Sequence, residues 1–120
     1  MSWGRDPLWA KAKYFFQVAF GYEREDPLFG LWCSMGLEML ARAALAKISP
    51  TLLADSDREH RYLLHALGRG SAKIARKSIS TTLVFKLCQE LITGFSDEHT
   101  KHANALLSRR NEELHSGAAA

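Results

Sequence analysis

Apolar residues recur at three- and four-residue intervals along almost the whole chain, and no run alternates apolar and polar strictly enough for a half-buried strand. That period predicts an all-α fold. Asp6 followed by Pro7 reads as an N-cap and first helical residue. Leu8, Ala12, Phe15, Phe16, Ala19 and Phe20 then trace a helix ending near Gly21. The same Asp-Pro signal at Asp26 and Pro27 opens a second helix reaching about Lys47. It is apolar along Leu28, Leu31, Trp32, Met35 and Met39 and again along Phe29, Cys33, Leu37, Leu40 and Ala44, the mark of a central bundle helix. Ser49 and Pro50 break the pattern, and a short helix capped by Ser56 or Asp57 follows to Leu67, stopped by Gly68 and Gly70. Leu83, Val84, Leu87, Cys88, Leu91 and Ile92 mark a helix from about Ser80, ended by Gly94. Ser96 caps the last helix, which points Ala103, Leu106, Leu107 and Leu114 inward and ends at Gly117. The expected product is a compact bundle of four main helices plus a short one, a single domain over residues 1–120 with no dividing linker.

A chain of 120 residues buries enough surface to fold without disulfides or metals. Cys33 and Cys88, far apart within apolar helical patterns, read as buried thiols of a reducing cytoplasm. The longest apolar stretch, Leu28 to Leu37, includes Ser34 and falls short of the roughly 20 residues that span a bilayer, so no transmembrane helix is expected. Arg5, Asp6, Lys11 and Lys13 interrupt any secretory signal near the start. The formal charge of +3 hides an asymmetry. From His60 to Gln89 there is no carboxylate but there are six cations; removing these from the 16 basic residues leaves 10 against 13 acidic ones elsewhere. Arg69, Lys73, Arg76 and Lys77 in this basic middle suit either a phosphate backbone or a solvated face. Tyr62 beside them could stack on a base, although core packing is its commoner fate. Nine of the twelve aromatic residues fall within the first 32 positions, a surplus that suits bulky packing and, where exposed, a partner surface.

The last helix contains Arg109-Arg110-Asn111-Glu112-Glu113-Leu114-His115-Ser116-Gly117. At 100° per residue Arg110 falls about 20° from Ala103, on the apolar stripe between Leu107 and Leu114, while Asn111 and His115 sit one above the other on its flank. A guanidinium on that face must meet a carboxylate, line a wet cleft or emerge at a subunit interface. Glu38, the acidic residue within the central helix, is the natural structural partner. His115 also reads as an ordinary cation in the last helical turn. Glu112-x-x-His115, His99-x-x-His102 and the His60/His65 pair resemble metal-ligand spacings. A di-metal bundle needs the Glu-x-x-His element twice, and two cysteines on different helices make no zinc pattern, so no metal and no cofactor is expected.

Arg110, Asn111, His115 and Gly117 resemble the R-x4-6-H motif of the HEPN superfamily (higher eukaryotes and prokaryotes nucleotide-binding), which keeps it at the end of the last helix of a small all-α domain. Arg109 with His115 and Arg58 with His65 meet the same spacing. The helix holding Glu38 is similar to that family's second helix. The resemblance implies a metal-independent endoribonuclease of a toxin-antitoxin or antiviral defence system, with RNA as substrate and a homodimer whose Arg/His pairs line one cleft. It assigns proton transfer to His115, phosphate clamping to Arg110, an orienting role to Asn111 and a supporting role to Glu38. Its other branch is a non-catalytic module that binds RNA, a nucleotide or a partner protein. Family members often continue past the motif into another helix or an effector domain, so a fused or partner domain, such as an antitoxin, is a further expectation.

Overall fold

The computed structural model describes residues 4–56, 59–69 and 78–116, with side chains to residue 114. Asp57, Gly70, Lys73, Arg76, Lys77 and Gly117, each singled out above, lie outside the described residues. Within them the chain is a helical bundle: α1 (Arg5–Ala19), α2 (Pro27–Ile48), a 3-10 turn (Pro50–Leu53), the short α3 (Arg61–Ala66), α4 (Thr81–Leu91) and α5 (Asp97–Ser116). The all-α architecture expected from the period is what forms. The nearest approach to a strand among the described residues is one isolated antiparallel bridge between Ala54 and Ser78, beside a bond from the Ile79 N–H to the Leu53 carbonyl.

Helix ends follow local chemistry. The Asp26 carboxylate accepts from the Leu28 N–H at 2.9 Å with Pro27 behind it, and Ser80 accepts from the Leu83 N–H at 3.3 Å. α1 departs from expectation: Gly4 is its N-cap, and Asp6 lies inside the first turn, ion-paired to Arg5 at 2.9 Å rather than capping. α3 starts several residues late because His60 adopts a left-handed conformation (φ 56°) that a helix cannot propagate through. It closes as anticipated at Gly68 (φ 77°), where the Arg69 N–H reaches the Leu64 carbonyl and the Gly68 N–H the His65 carbonyl. At α5 a histidine takes the place of the usual glutamate in a reciprocal cap. Ser96 Oγ accepts from the His99 N–H at 3.4 Å while His99 Nδ1 accepts from the Ser96 N–H at 3.1 Å.

α2 is the central element and packs against α1, α4, α5 and the 3-10 turn. With 22 residues it is, by length and composition, long and apolar enough to cross a bilayer, although its longest unbroken apolar run is short. In this fold α1, α4 and α5 pack against it, a third of its apolar segment is buried, and it carries the charged residues Glu38 and Arg42 at mid-length. Its fully buried positions are mostly small: Ser34, Gly36, Ala41, Ala43 and Ala46, with Leu45 and Arg42. That choice lets α1 come close. A Cβ on Gly36 would stand 2.9 Å from the Phe16 ring, and Phe15 meets Trp32 and Phe20 meets Phe29 along the same antiparallel hairpin.

The core joins Leu8, Leu45, Leu53, Ile79, Val84, Phe85, Cys88 and Ala103, so each of α1, α2, the turn, α4 and α5 contributes. Phe85, absent from the expected α4 stripe, is one of its largest fully buried side chains. Six residues placed inward by period alone are exposed instead: Leu28, Leu40 and Leu83 by a narrow margin, Phe20 (71%), Leu91 (47%) and Leu114 (60%) widely. Phe20 and Leu91 stand at helix ends, and Leu114 lies beyond the stretch of α5 that reaches the core.

Both cysteines are free, as expected, but only Cys88 is buried; Cys33 is half-buried. Burial pushes the Cys88 thiol up to about 11, and its Sγ lies 3.7 Å from the Ala41 carbonyl as a weak donor; burial raises Cys33 as well. A maleimide added to the native protein at neutral pH should therefore label Cys33 first and Cys88 only once urea unfolds the bundle. Peptide mapping by mass spectrometry reads this directly, and equal native rates would contradict the packing of α4 on α2.

Candidate functional site

Arg110 is where the helical wheel places it, on the inner side of α5, and it meets the carboxylate expected of it. Its Nη1 donates to Glu38 Oε1 at 2.7 Å, with both side chains about 15% exposed or less. The same Oε1 accepts from Thr81 Oγ1 at 2.9 Å, and Oε2 accepts from Arg42 Nε at 3.3 Å. Arg42, 10% exposed, continues outward: Nη1 donates to Ser78 Oγ at 3.3 Å and Nη2 to the Ile79 carbonyl at 3.0 Å. One carboxylate thus ties α2 to the first residue of α4, to α5 and, through Arg42, to the chain entering α4. The Arg110 Nε and the Glu113 Oε2 are buried without a hydrogen-bond partner among the described residues.

Burial alone would push the Glu38 carboxyl upward. The hydrogen bonds from Arg110 and Thr81, with the positive charges of Arg42 and Arg110, outweigh it and hold the group below its ordinary value of 4.5. Glu38 is therefore ionised at neutral pH.

Arg110 also lines an open cleft of about 420 Å³ between the start of α2, the loop before it and the outer half of α5. Arg24, Arg109 and Cys33 share the wall, together with Glu25, Asp26, Glu112 and Glu113. Three guanidiniums against four carboxylates give this cleft no net positive charge, and Asp26 is engaged as the α2 cap. A second cavity, of about 330 Å³, opens on the other side of the ion pair, where Glu38 and Arg42 meet Lys11, Met39 and Ser78.

The remaining predicted residues are distributed unevenly. Asn111 is exposed one residue beyond Arg110, and His115 lies on the α5 backbone, its side chain outside the described part. Five helical steps separate Arg110 from His115, about 7.5 Å along the axis and roughly 140° around it, so the helix of one copy does not set these two positions on one face. Asn111 and His115, four steps apart, do share one. Arg69 is exposed just past α3; of the basic middle the structure describes Arg61, Arg69 and Lys86, and Arg42 holds Ser78, the residue after Lys77. Tyr62 is half-buried under the Arg61 guanidinium, 5.7 Å from its ring centre. His99 is taken up by Ser96 and His102 stands 3.9 Å from Glu98; among the described residues no three His, Cys, Asp or Glu side chains converge as a metal site.

Arg42 and Thr81 escaped the sequence reading. A signal for Arg42 existed: Glu38 and Arg42 are spaced i, i+4 on an otherwise apolar helix, the arrangement in which a glutamate supports a later arginine. Thr81 carried none, because its contact depends on how α4 approaches α2. Compared with protein-family models, curated proteins and solved structures, the chain gives no match.

Replacing Glu38 with glutamine should cost about 3 kcal/mol at neutral pH, the low end of what breaking a buried ion pair costs. The sign of its pH dependence follows from the lowered carboxyl. The stabilisation is fully present above 4.5 and disappears as pH falls through the depressed value, so wild type and Glu38→Gln converge in acid. Urea titrations at several pH values measure this; a gap unchanged down to about pH 3 would show that the charge of Glu38 is not what stabilises the network.

Proposed function

We propose that this chain is an RNA-acting domain of HEPN type, a metal-independent endoribonuclease in which Arg110 and His115 act on the scissile phosphodiester and Asn111 assists. The observation that carries the reading is the Glu38–Arg110 pair. It holds a guanidinium rigidly at the wall of an open cleft, on the helix that bears Asn111 and His115 within the next two turns. In the reaction the ribose 2'-oxygen attacks its own phosphorus, the bond to the 5'-oxygen breaks, and a 2',3'-cyclic phosphate remains. One group must move protons and a fixed cation must offset charge on the phosphoryl oxygens. Histidine suits the first task near neutrality and a guanidinium that never loses its charge suits the second. The 140° between the two positions on one helix is met if two copies pair and His115 of one faces the phosphate held by Arg110 of the other, so a homodimer belongs to this reading. The basic middle, Arg69, Lys73, Arg76 and Lys77, would track the RNA backbone. Ser78, the residue after Lys77, is bonded to Arg42, in contact with the same Glu38 carboxylate that holds Arg110. Two free thiols accord with the cytoplasmic setting it assumes, and a defence or toxin-antitoxin role, with an antitoxin or fused domain as partner, is its biological form.

A second reading rests on a specific feature of the same pair. Arg110 is already paired with Glu38, and the cleft beside it is not positive. A non-catalytic module that binds RNA, a nucleotide or a partner protein, with Arg110 as a structural brace, has this geometry too.

Incubating the protein with structured RNA in EDTA and probing for 2',3'-cyclic phosphate ends separates the two. The first reading expects cleavage that His115→Ala lowers about 10²- to 10⁴-fold with unchanged helical circular dichroism. Arg110→Ala unpairs Glu38 and can unfold the bundle, so Arg110→Lys, which keeps the charge but loses the planar fork, is the informative second variant and should also cut poorly. Cleavage that persists in His115→Ala, or that requires Mg²⁺, would end the nuclease proposal. Absence of cleavage by wild type, with RNA still bound, would favour the second reading.

A further inference from the structure

On the outer side of the α1–α2 hairpin, Trp9, Lys13, Phe16 and Phe20 recur every three to four residues and form a stripe about three turns, or ~16 Å, long. Across from it stand Leu40 and Lys47 of α2. Two hollows of about 390 and 400 Å³ flank the line where Trp9 faces Leu40. Phe16, Phe20 and Lys13 wall the first, and Lys47 with the small Ala43 and Ala44 the second. The apolar exposure here is large: Phe20 is 71% and Trp9 46% accessible. The rim is cationic. Lys13 lies 5.7 Å over the Trp9 ring, Lys47 is exposed, and Asp6, the one carboxylate among the described lining residues, is occupied by Arg5 at 2.9 Å.

We propose that this face docks one amphipathic helix of a partner protein, with apolar anchors in the two hollows and acidic residues on its flanks. The stripe has the length of a three-turn helix, and two hollows either side of a Trp9–Leu40 saddle match anchors spaced i and i+4 or i+7 on such a helix. Charge selects the partner. A second copy meeting this face across a two-fold axis would bring the Lys13 and Lys47 rims against like rims, whereas glutamates flanking the anchors would meet them with opposite sign. Shape argues in the same direction, because side chains of a helix fill concave hollows and the flat boundary of a bilayer does not. None of the four residues of the Arg110 network, Glu38, Arg42, Thr81 or Arg110, lines this face, so the proposal stands apart from the RNA reading.

The test pans the full chain against a displayed library of helical peptides, apolar at i, i+3, i+4 and i+7 and varied among Glu, Lys and Ser on the flanking positions. Glu-flanked sequences should be enriched. A synthetic copy of one should bind wild type and lose at least about ten-fold in affinity to Phe20→Asp and, separately, to the double variant Lys13→Glu/Lys47→Glu. All three positions are exposed, and unchanged circular dichroism verifies that the fold survives. Enrichment of Lys- or Ser-flanked sequences, no enrichment at all, or binding indifferent to both variants would overturn the proposal. So would binding to phosphatidylserine vesicles that Phe20→Asp abolishes, or sedimentation as a dimer that Phe20→Asp dissociates.

Discussion

The bundle closes on a single carboxylate. Three donors from three helices converge on Glu38, and without it two guanidiniums would face each other in a nearly dry interior. The cost of that burial is offset only because each oxygen of the carboxylate is used and because Arg42 spends its other nitrogens on Ser78 and the Ile79 carbonyl. The compensation is uneven. Arg42 is satisfied on all three nitrogens, whereas Arg110 has a direct bond from Nη1 alone and a buried Nε without one. In energetic terms Arg42 is fully paired and Arg110 is left with one buried donor unpaired.

That asymmetry has an energetic cost. A cation kept only for stability gains from having each N–H paired, because an unpaired buried donor costs about 1–3 kcal/mol. Arg110 bears such a cost while standing at the wall of a cleft. Its anchor also explains why the carboxylate must remain ionised: protonating Glu38 would release Arg110 and Arg42 together and loosen the approach of α4 and α5 to α2.

Much of this arrangement is written locally. The caps at Asp26, Ser80 and Ser96 and the stops at Gly68 and Gly94 depend on a few neighbouring residues, and all of them form. Arg110 was legible for a related reason: a charge on the apolar arc of a wheel demands a counter-charge, and Glu38 was the acidic residue of the central helix. What lay out of reach depends on packing between helices. Period alone could not tell that Phe85 would be buried in place of Leu83, which is 39% exposed, because both lie beside Val84 on the wheel and only the angle of α4 chooses between them. The left-handed His60 was hidden likewise, and Asp6, which reads as the α1 cap, pairs with Arg5 inside the first turn instead. The His115 geometry belongs to a third class, in which the site, if two copies make it, is encoded in no single chain's helix.

The same helix geometry separates the two surfaces of the molecule. Glu38 and Leu40 are two residues apart on α2, about 160° around the axis, so the helix face that holds Arg110 is nearly opposite the one that completes the Trp9 saddle. One turn before Leu40 on that same face, Gly36 lets the Phe16 ring seat directly on the α2 backbone. A ligand on the aromatic face therefore need not enter the α5 cleft, and can influence it only by shifting α2 along or about its axis. Such a shift would be felt first at Glu38, where hydrogen bonds of 2.9 Å from α4 and 2.7 Å from α5 tolerate little displacement.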